Sequence, residues 1–160
     1  MQAGRLSCGQ NSEETESLQK AINKQVLGKS LIKQATAIIP KIIELDQFLA
    51  AHEEYKNELC ESHPELCFAG LNGEVLRSRK NDFFGITQRV QILLQFIKDE
   101  KIHNTYQLAK ELKCKHDDIP DAVCLAVTAA LKAYGLTEII PAEPQTDSRG
   151  LLMQMVVPKL

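Results

Sequence analysis

Stretches of helix-spaced apolar residues, each closed by glycine or proline, constrain the fold of this chain more than any other feature. Apolar positions recur at a helical period along most of the sequence, which is typical of amphipathic helices. Pro40 lies inside the second stretch and predicts a kink or a break there. The predicted helices span residues 13–27 before Gly28, 31–49, 64–71 before Asn72-Gly73, 85–97, 105–112 and 118–134 before Gly135.

Two shorter segments have the composition of strands. Residues 55–61 end at Ser62-His63-Pro64, and residues 151–157 precede Pro158. Helices combined with a small sheet containing the 55–61 strand predict an α/β fold. Residues 13–160 have the length of one domain with a real core. Residues 1–12 are polar and contain two glycines, so we expect a disordered lead-in.

Charge and cysteine usage exclude several classes of protein. A net charge of −2 and a pI near 6.1 argue against a protein that coats nucleic acid through many phosphate contacts. An enzyme that meets phosphates at one local patch remains compatible with them. Five cysteines, an odd count without a CxxC motif, argue against a disulfide framework and favour reduced thiols in the cytoplasm. Every apolar run is shorter than a membrane span, so no membrane partner is expected.

Acidic residues give the sharpest chemical signal. Asp118 and Asp121 are three residues apart at the start of a predicted helix, so both carboxylates leave one face of its first turn. Glu61 lies at the end of the predicted 55–61 strand, where α/β folds place ligands. Carboxylates that converge from separate elements suit Mg²⁺ or Mn²⁺. Such ions promote phosphodiester cleavage by activating water and stabilising the leaving oxygen.

Two other interpretations fit the same residues. Asp118 and Asp121, with Pro120 in the first turn, also form a good helix N-terminus by capping and dipole arguments. Zinc-capable side chains occur as well, although their spacing lacks the tight CxxC arms of a zinc knuckle. These side chains are Cys60, His63, Cys67, Cys114 and His116.

A set of ordered motifs links most of the chain to a known family. Together the motifs resemble the predicted nucleases with an RNase H-like fold catalogued as domain of unknown function 429, over roughly residues 20–158. In chain order the motifs are Gln34 through Pro40-Lys41-Ile42-x-Glu44-x-Asp46; Glu61-x-His63-Pro64-Glu65 with Phe68 and Leu71-Asn72-Gly73; Lys80, Gly85 and Arg89; Asp117-Asp118-x-x-Asp121-Ala122 with Leu125, Ala126 and Ala129; and Gly150-Leu151-x-Met153 with Pro158.

The resemblance implies a role for each acid. Glu61 corresponds to the middle-strand acid, and Asp118 and Asp121 correspond to the late-helix acids; together they would hold Mg²⁺ or Mn²⁺. Lys80 and Arg89 match basic family positions and would bind a nucleic-acid phosphate. The competing interpretation makes them a solvated basic loop and an ordinary helix-surface arginine. The family's first-strand Asp has no counterpart, so the chain resembles an N-terminally short member.

The implied function is a divalent-metal-dependent nuclease acting on DNA or RNA. The alternative is a catalytically inactive RNase H-like module that binds or interacts without the first-strand acid. Without the first strands, the 55–61 strand would expose an open edge, which is a pairing hazard. We therefore expect either a two-fold homodimer through this edge or N-terminal helices (13–27 and 31–49) laid across it.

Overall fold

The structure is a computed structural model that describes residues 12–30, 36–147 and 150–160. The chain divides into two compact units, Met1–Leu59 and Cys60–Leu160. The single domain expected over residues 13–160 stays a prediction. The predicted lead-in lies outside the described residues except for Ser12, which begins the first helix. Among the described helices, none is long and apolar enough to cross a membrane.

The first unit contains helix α1 (Ser12–Leu27), helix α2 (Ile39–Ala51) and a 3-10 helix (Glu53–Asn57). Gly28 follows α1 with a φ of +68°, as the predicted helix end requires. Pro40 produces a break rather than a kink, because it occupies the first turn of α2, where its missing N–H costs nothing. Residues 31–35, with which the predicted 31–49 helix begins, lie outside the described part of the chain.

The strand predicted for residues 55–61 is wrong. Tyr55 lies in the 3-10 helix, and residues 58–63 contain no strand. Contacts three to seven residues apart hold this turn closed: Lys56 donates to Glu53 at 2.8 Å, and the rings of Phe48 and Tyr55 lie 5.6 Å apart. An extended strand would separate these groups. The open strand edge on which the predicted dimer depended is therefore not formed by this segment.

The second unit contains helices α3 (Pro64–Asn72), α4 (Phe83–Leu93), α5 (Asp99–Glu111) and α6 (Asp118–Ala133), followed by strands β1 (Thr137–Thr146) and β2 (Leu152–Pro158). The strands pair antiparallel, from Thr137 opposite Pro158 to Thr146 opposite Leu152, with an irregularity between Ile140 and Gln145. The mixed, helix-rich α/β class is confirmed for the described residues. The sheet consists of β1 and β2, so strand β1 was missed and the 55–61 strand does not belong to it.

The core of the second unit surrounds helix α6, which contacts α3, α4, α5 and both strands. The buried residues of this core cluster are Cys67, Phe68, Leu71, Ile92, Leu93, Ile102, Cys124 and Val127. Helix α3 packs against the end of β2 so closely that a Cβ on Gly70 would lie 2.4 Å from the carbonyl oxygen of Pro158. Just before α3, the chain runs beside β2, since the backbone N–H of Val156 donates to the carbonyl of Glu61 at 2.9 Å. Helix α3 and strand β2 both contact α6, whose first turn carries the candidate site.

Candidate acidic site at the start of helix α6

The start of helix α6 combines buried apolar residues with the acidic residues Asp117, Asp118 and Asp121. Ile119 and Pro120 are buried, and proline suits a first helical turn because its φ is already helical. The N-cap residue is Asp117, and its side chain makes no capping hydrogen bond. The capping interpretation therefore does not account for the acids, although the N-terminus of the helix still favours their negative charge.

A lysine from another segment meets two of these acids. The ammonium Nζ of Lys80 lies 2.9 Å from Oδ2 of Asp121 and 3.7 Å from Oδ2 of Asp117. Asp117 and Asp121 are four residues apart, so their side chains lie on one face of the helix. They are 23% and 15% exposed, which shields the pair from solvent more than an ordinary surface ion pair. We call Asp117 and Asp121 the acid pair.

The acidic side chains around Lys80 stabilise its positive charge. The hydrogen bond to Asp121 raises the pKa of Lys80, with smaller contributions from the negative charges of Asp121, Asp117 and Asp118. Lys80 is therefore a permanent cation at neutral pH. Asp118 itself is exposed and adds negative potential at the rim.

One oxygen of the acid pair is left without a partner. Oδ1 of Asp121 is buried and has no hydrogen-bond partner among the described residues, while Oδ2 accepts from Lys80. A buried carboxylate oxygen is a strong acceptor, and leaving it unsatisfied is costly. An unsatisfied oxygen on a carboxylate that shares Lys80 with a second carboxylate is suited to a cation or a donor from outside the chain.

The structure does not gather Glu61, Asp118 and Asp121 into one ligand set. Glu61 is exposed on the irregular segment beside β2. Within the described ranges there is no group of three or more histidine, cysteine or acidic side chains placed to hold one metal ion. The acids brought together are Asp117 and Asp121. Their i,i+4 spacing is visible in the sequence, but the prediction followed the i,i+3 spacing of Asp118 and Asp121 instead.

Arg89 occupies a different place from the one predicted. Its side chain is 2% exposed, and its Nη2 donates to both carboxylate oxygens of Glu65 at 2.9 Å. The guanidinium also donates to the carbonyl of Gly85 at 3.1 Å and lies over the ring of Phe68. Arg89 is neither a phosphate contact in this conformation nor a helix-surface arginine. It joins α3 to α4, and its partner Glu65 was not identified as a site residue.

The zinc-capable residues are not assembled either. Cys67 is buried and hydrogen-bonded to Ser62 at 2.9 Å and to Cys124, a contact that lowers the pKa of Cys67 and raises that of Cys124. Cys60 accepts a hydrogen bond from Lys132. Cys114 is exposed on its own segment. The thiols therefore take part in core packing and local hydrogen bonds rather than a common centre.

Comparison with known protein families gives a match over most of the chain. A family model described as "Protein of unknown function (DUF429)" matches residues 6–146, which is most of the chain. Neither the curated proteins nor the solved structures contain a match.

Proposed function

The chain belongs to the DUF429 family, and we propose that it is a divalent-metal-dependent nuclease with an RNase H-like fold. The observation that carries the proposal is the buried, unpartnered Oδ1 of Asp121, whose other carboxylate oxygen contacts Lys80 as the carboxylate of Asp117 does. Carboxylate oxygens are the ligands that Mg²⁺ and Mn²⁺ prefer. The acid pair replaces the three-acid set expected from the sequence as the centre of the proposed site.

The two carboxylates of the acid pair fit such an ion. Mg²⁺ commonly uses one or two carboxylates and completes its shell with water and substrate phosphate, so the acid pair would be sufficient. A divalent cation bound there would supply a Lewis acid for the phosphoryl oxygen and lower the pKa of a water. Asp118 and Glu61 stay proposed as further acids, Asp118 at the rim of the acid pair and Glu61 on the segment beside β2.

Lys80 has two tasks in this proposal. While it contacts the acid pair, it neutralises charge that would otherwise repel a nucleic-acid phosphate. Its long, flexible side chain can turn from Asp121 to a phosphate oxygen, for which an ammonium is a good donor. The arrival of substrate would then draw Lys80 away and favour metal binding by the carboxylates.

The same lysine also favours the second candidate function, an inactive RNase H-like module that binds nucleic acid. An ammonium 2.9 Å from Asp121 already supplies the positive charge that a metal would supply. If Lys80 never leaves, the acid pair is a structural ion pair. The two candidates differ in whether the acid pair takes up a metal and whether phosphodiester bonds are cut.

Metal uptake is tested by substituting the lysine. We expect Lys80→Met to tighten Mn²⁺ binding by about tenfold, because it removes a positive charge that competes with the metal for the same oxygens. Isothermal titration of the wild type and the variant measures the change. Lys110→Met, an exposed lysine on α5, is the matched control and should bind Mn²⁺ as the wild type does. Unchanged affinity in Lys80→Met would mean that the acid pair does not take up the metal.

Cleavage is tested with labelled single-stranded and double-stranded DNA and RNA in Mn²⁺. We expect Asp121→Asn to abolish cleavage and Asp117→Asn to reduce it, whereas Asp99→Asn, an acid in the first turn of α5, should leave it unchanged. Glu61→Gln decides whether that acid contributes. If Asp121→Asn retained full cleavage, the acid pair would not be the active site. Binding of nucleic acid by a wild type that does not cut it would favour the inactive module.

A further inference from the structure

Two adjacent phenylalanines at the start of helix α4 lie in solvent. The side chains of Phe83 and Phe84 are 88% and 69% exposed. Phenylalanine rings normally bury a large apolar area in the core, and this chain has few aromatic residues for that purpose. Isolated exposed apolar residues are ordinary, but neighbouring exposed rings indicate a binding surface.

The turn that presents these rings is held firmly. Asp82 caps α4, since its Oδ1 accepts from the backbone N–H of Gly85 at 2.6 Å. The N–H of Asp82 donates to the carbonyl of Arg79 at 3.3 Å. That carbonyl lies so near α4 that a Cβ on Gly85 would be 1.8 Å from its oxygen. The rings therefore stand on a preorganised helix start, which lowers the entropy lost on binding.

Positive charge lies directly before the rings. Arg77, Arg79 and Lys80 are exposed, and the structure gives neither arginine a salt-bridge partner among the described residues. A depression of about 250 Å³ beside Arg77 and Phe84 is also lined by Glu74, Ser78 and Gln88. Its volume is below the ~300–1,000 Å³ of pockets for drug-sized ligands, so it suits one flat group. We call Arg77, Arg79, Lys80, Phe83 and Phe84 the 77–84 surface.

We propose that the 77–84 surface binds single-stranded nucleic acid. Bases stack on Phe83 and Phe84, and the arginines contact the phosphates. This combination of aromatic rings and cations characterises single-strand binding, because every base has a face for stacking and every nucleotide has a phosphate. A duplex hides its base faces, so it would use the charges but not the rings. The chain is acidic overall, so affinity must come from this local patch.

The surface meets the acid pair at Lys80, which belongs to the surface and contacts both aspartates. The inference therefore names the substrate class of the proposed nuclease and rests on that function for its link to cleavage. Strand binding itself does not depend on metal. A strand held on the rings would bring a phosphate to Lys80, the residue proposed to move from Asp121 to substrate.

Fluorescence anisotropy tests the surface on the full chain. The probe is a fluorescein-labelled oligothymidylate of about 12 nucleotides, a length within the range that one single-strand-binding domain covers. EDTA is present so that cleavage plays no part. We expect Phe83→Ala and Phe84→Ala each to weaken binding by about 5- to 150-fold. Arg79→Gln should lower the slope of log affinity against log salt by about 0.7.

Matched controls remove residues of the same kind elsewhere. Tyr134→Ala deletes an exposed ring on the segment after α6, and Lys110→Gln deletes an exposed cation on α5; both should bind as the wild type does. Because Phe83 and Phe84 are exposed, their variants should keep the wild-type melting temperature. The proposal would be overturned if the phenylalanine variants bound the probe as tightly as the wild type does. It would also be overturned if the protein bound the probe more tightly as a duplex with its complementary strand than as a single strand. Variants that change only the oligomeric state in light scattering would overturn it too, since the rings would then serve self-association.

The two proposals fail separately. Strand binding that is lost in Phe83→Ala, with no cleavage by the wild type in Mn²⁺, supports the 77–84 surface and rejects the nuclease. Cleavage that is lost in Asp121→Asn but unaffected by either phenylalanine substitution supports the nuclease and rejects the surface.

Discussion

Glu65→Met is expected to lower the free energy of unfolding by about 3 kcal/mol, and Arg89→Met by about 1–2 kcal/mol. The difference follows from burial. The side chain of Arg89 is 2% exposed, so without Glu65 its charge stays buried without a carboxylate partner. Glu65 is 40% exposed, so without Arg89 its carboxylate can turn to water. The cost for Glu65→Met lies at the low end for a broken buried pair because Glu65 is partly hydrated already.

Urea denaturation of both variants and of the double variant measures this asymmetry. The double variant replaces the pair with two apolar side chains and should recover part of the loss, giving a coupling energy of about 1–3 kcal/mol. Glu111→Met, an exposed glutamate at the end of α5, is the control and should change stability by less than about 0.5 kcal/mol. Equal losses for the two single variants would contradict the burial argument.

Local signals predicted the helices well. Helix α1 ends before Gly28, α3 before Gly73 and α6 just before Gly135, all three glycines with positive φ. Two helix starts were placed too late. Helix α4 begins at Phe83, because Asp82 caps it, and α5 begins at Asp99, where acids favour a first turn. The capping side chain of Asp82 would have corrected the first boundary, and the first-turn acids Asp99 and Glu100 would have corrected the second.

The strands depended on longer-range contacts and were predicted less well. Strand β1 includes Pro141 and Pro144, which indicate a loop in isolation. Both prolines fall in the irregular stretch between Ile140 and Gln145, where the pairing with β2 is interrupted, so their missing donors are tolerated. In the 55–61 segment, contacts with Phe48 and within the turn outweighed a weak strand composition.

The candidate site was predictable as far as the chain brings its residues together locally. Asp121 and Lys80 were identified, one from its helix position and the other from the family resemblance. The partnership of Lys80 with Asp121 spans 41 residues, and that of Arg89 with Glu65 spans 24. No periodic pattern encodes such pairings. A single sequence can therefore identify a basic residue as a candidate for the site, but it does not show whether that residue is buried, paired with an acid or free to bind substrate.

Gly85→Ala tests the turn that carries Lys80 and the 77–84 surface, and the expected sign of its effect on stability opposes helix propensity. Alanine is favoured over glycine within a helix by about 0.5–1 kcal/mol, so propensity alone predicts stabilisation. Here the added Cβ would lie 1.8 Å from the backbone oxygen of Arg79, which cannot rotate away as a side chain could. The contact should win, because overpacking against a fixed neighbour costs about 1–3 kcal/mol or more. The 79–82 turn must then shift, which draws Lys80 away from Asp121.

We expect Gly85→Ala to lower the melting temperature by about 10 °C, since each kcal/mol is worth roughly 4–8 °C in a unit of this size. Its Mn²⁺ affinity should rise as in Lys80→Met, because the ammonium is displaced from the same oxygens. Gly135→Ala is the control: it meets open space but has a φ of +72°, so it should cost only about 1 kcal/mol and leave Mn²⁺ binding unchanged. Calorimetry and titration on the same samples measure both effects. A Gly85→Ala protein that melts at or above the wild-type temperature would show that the turn yields freely, and the preorganisation argued for the 77–84 surface would fail with it.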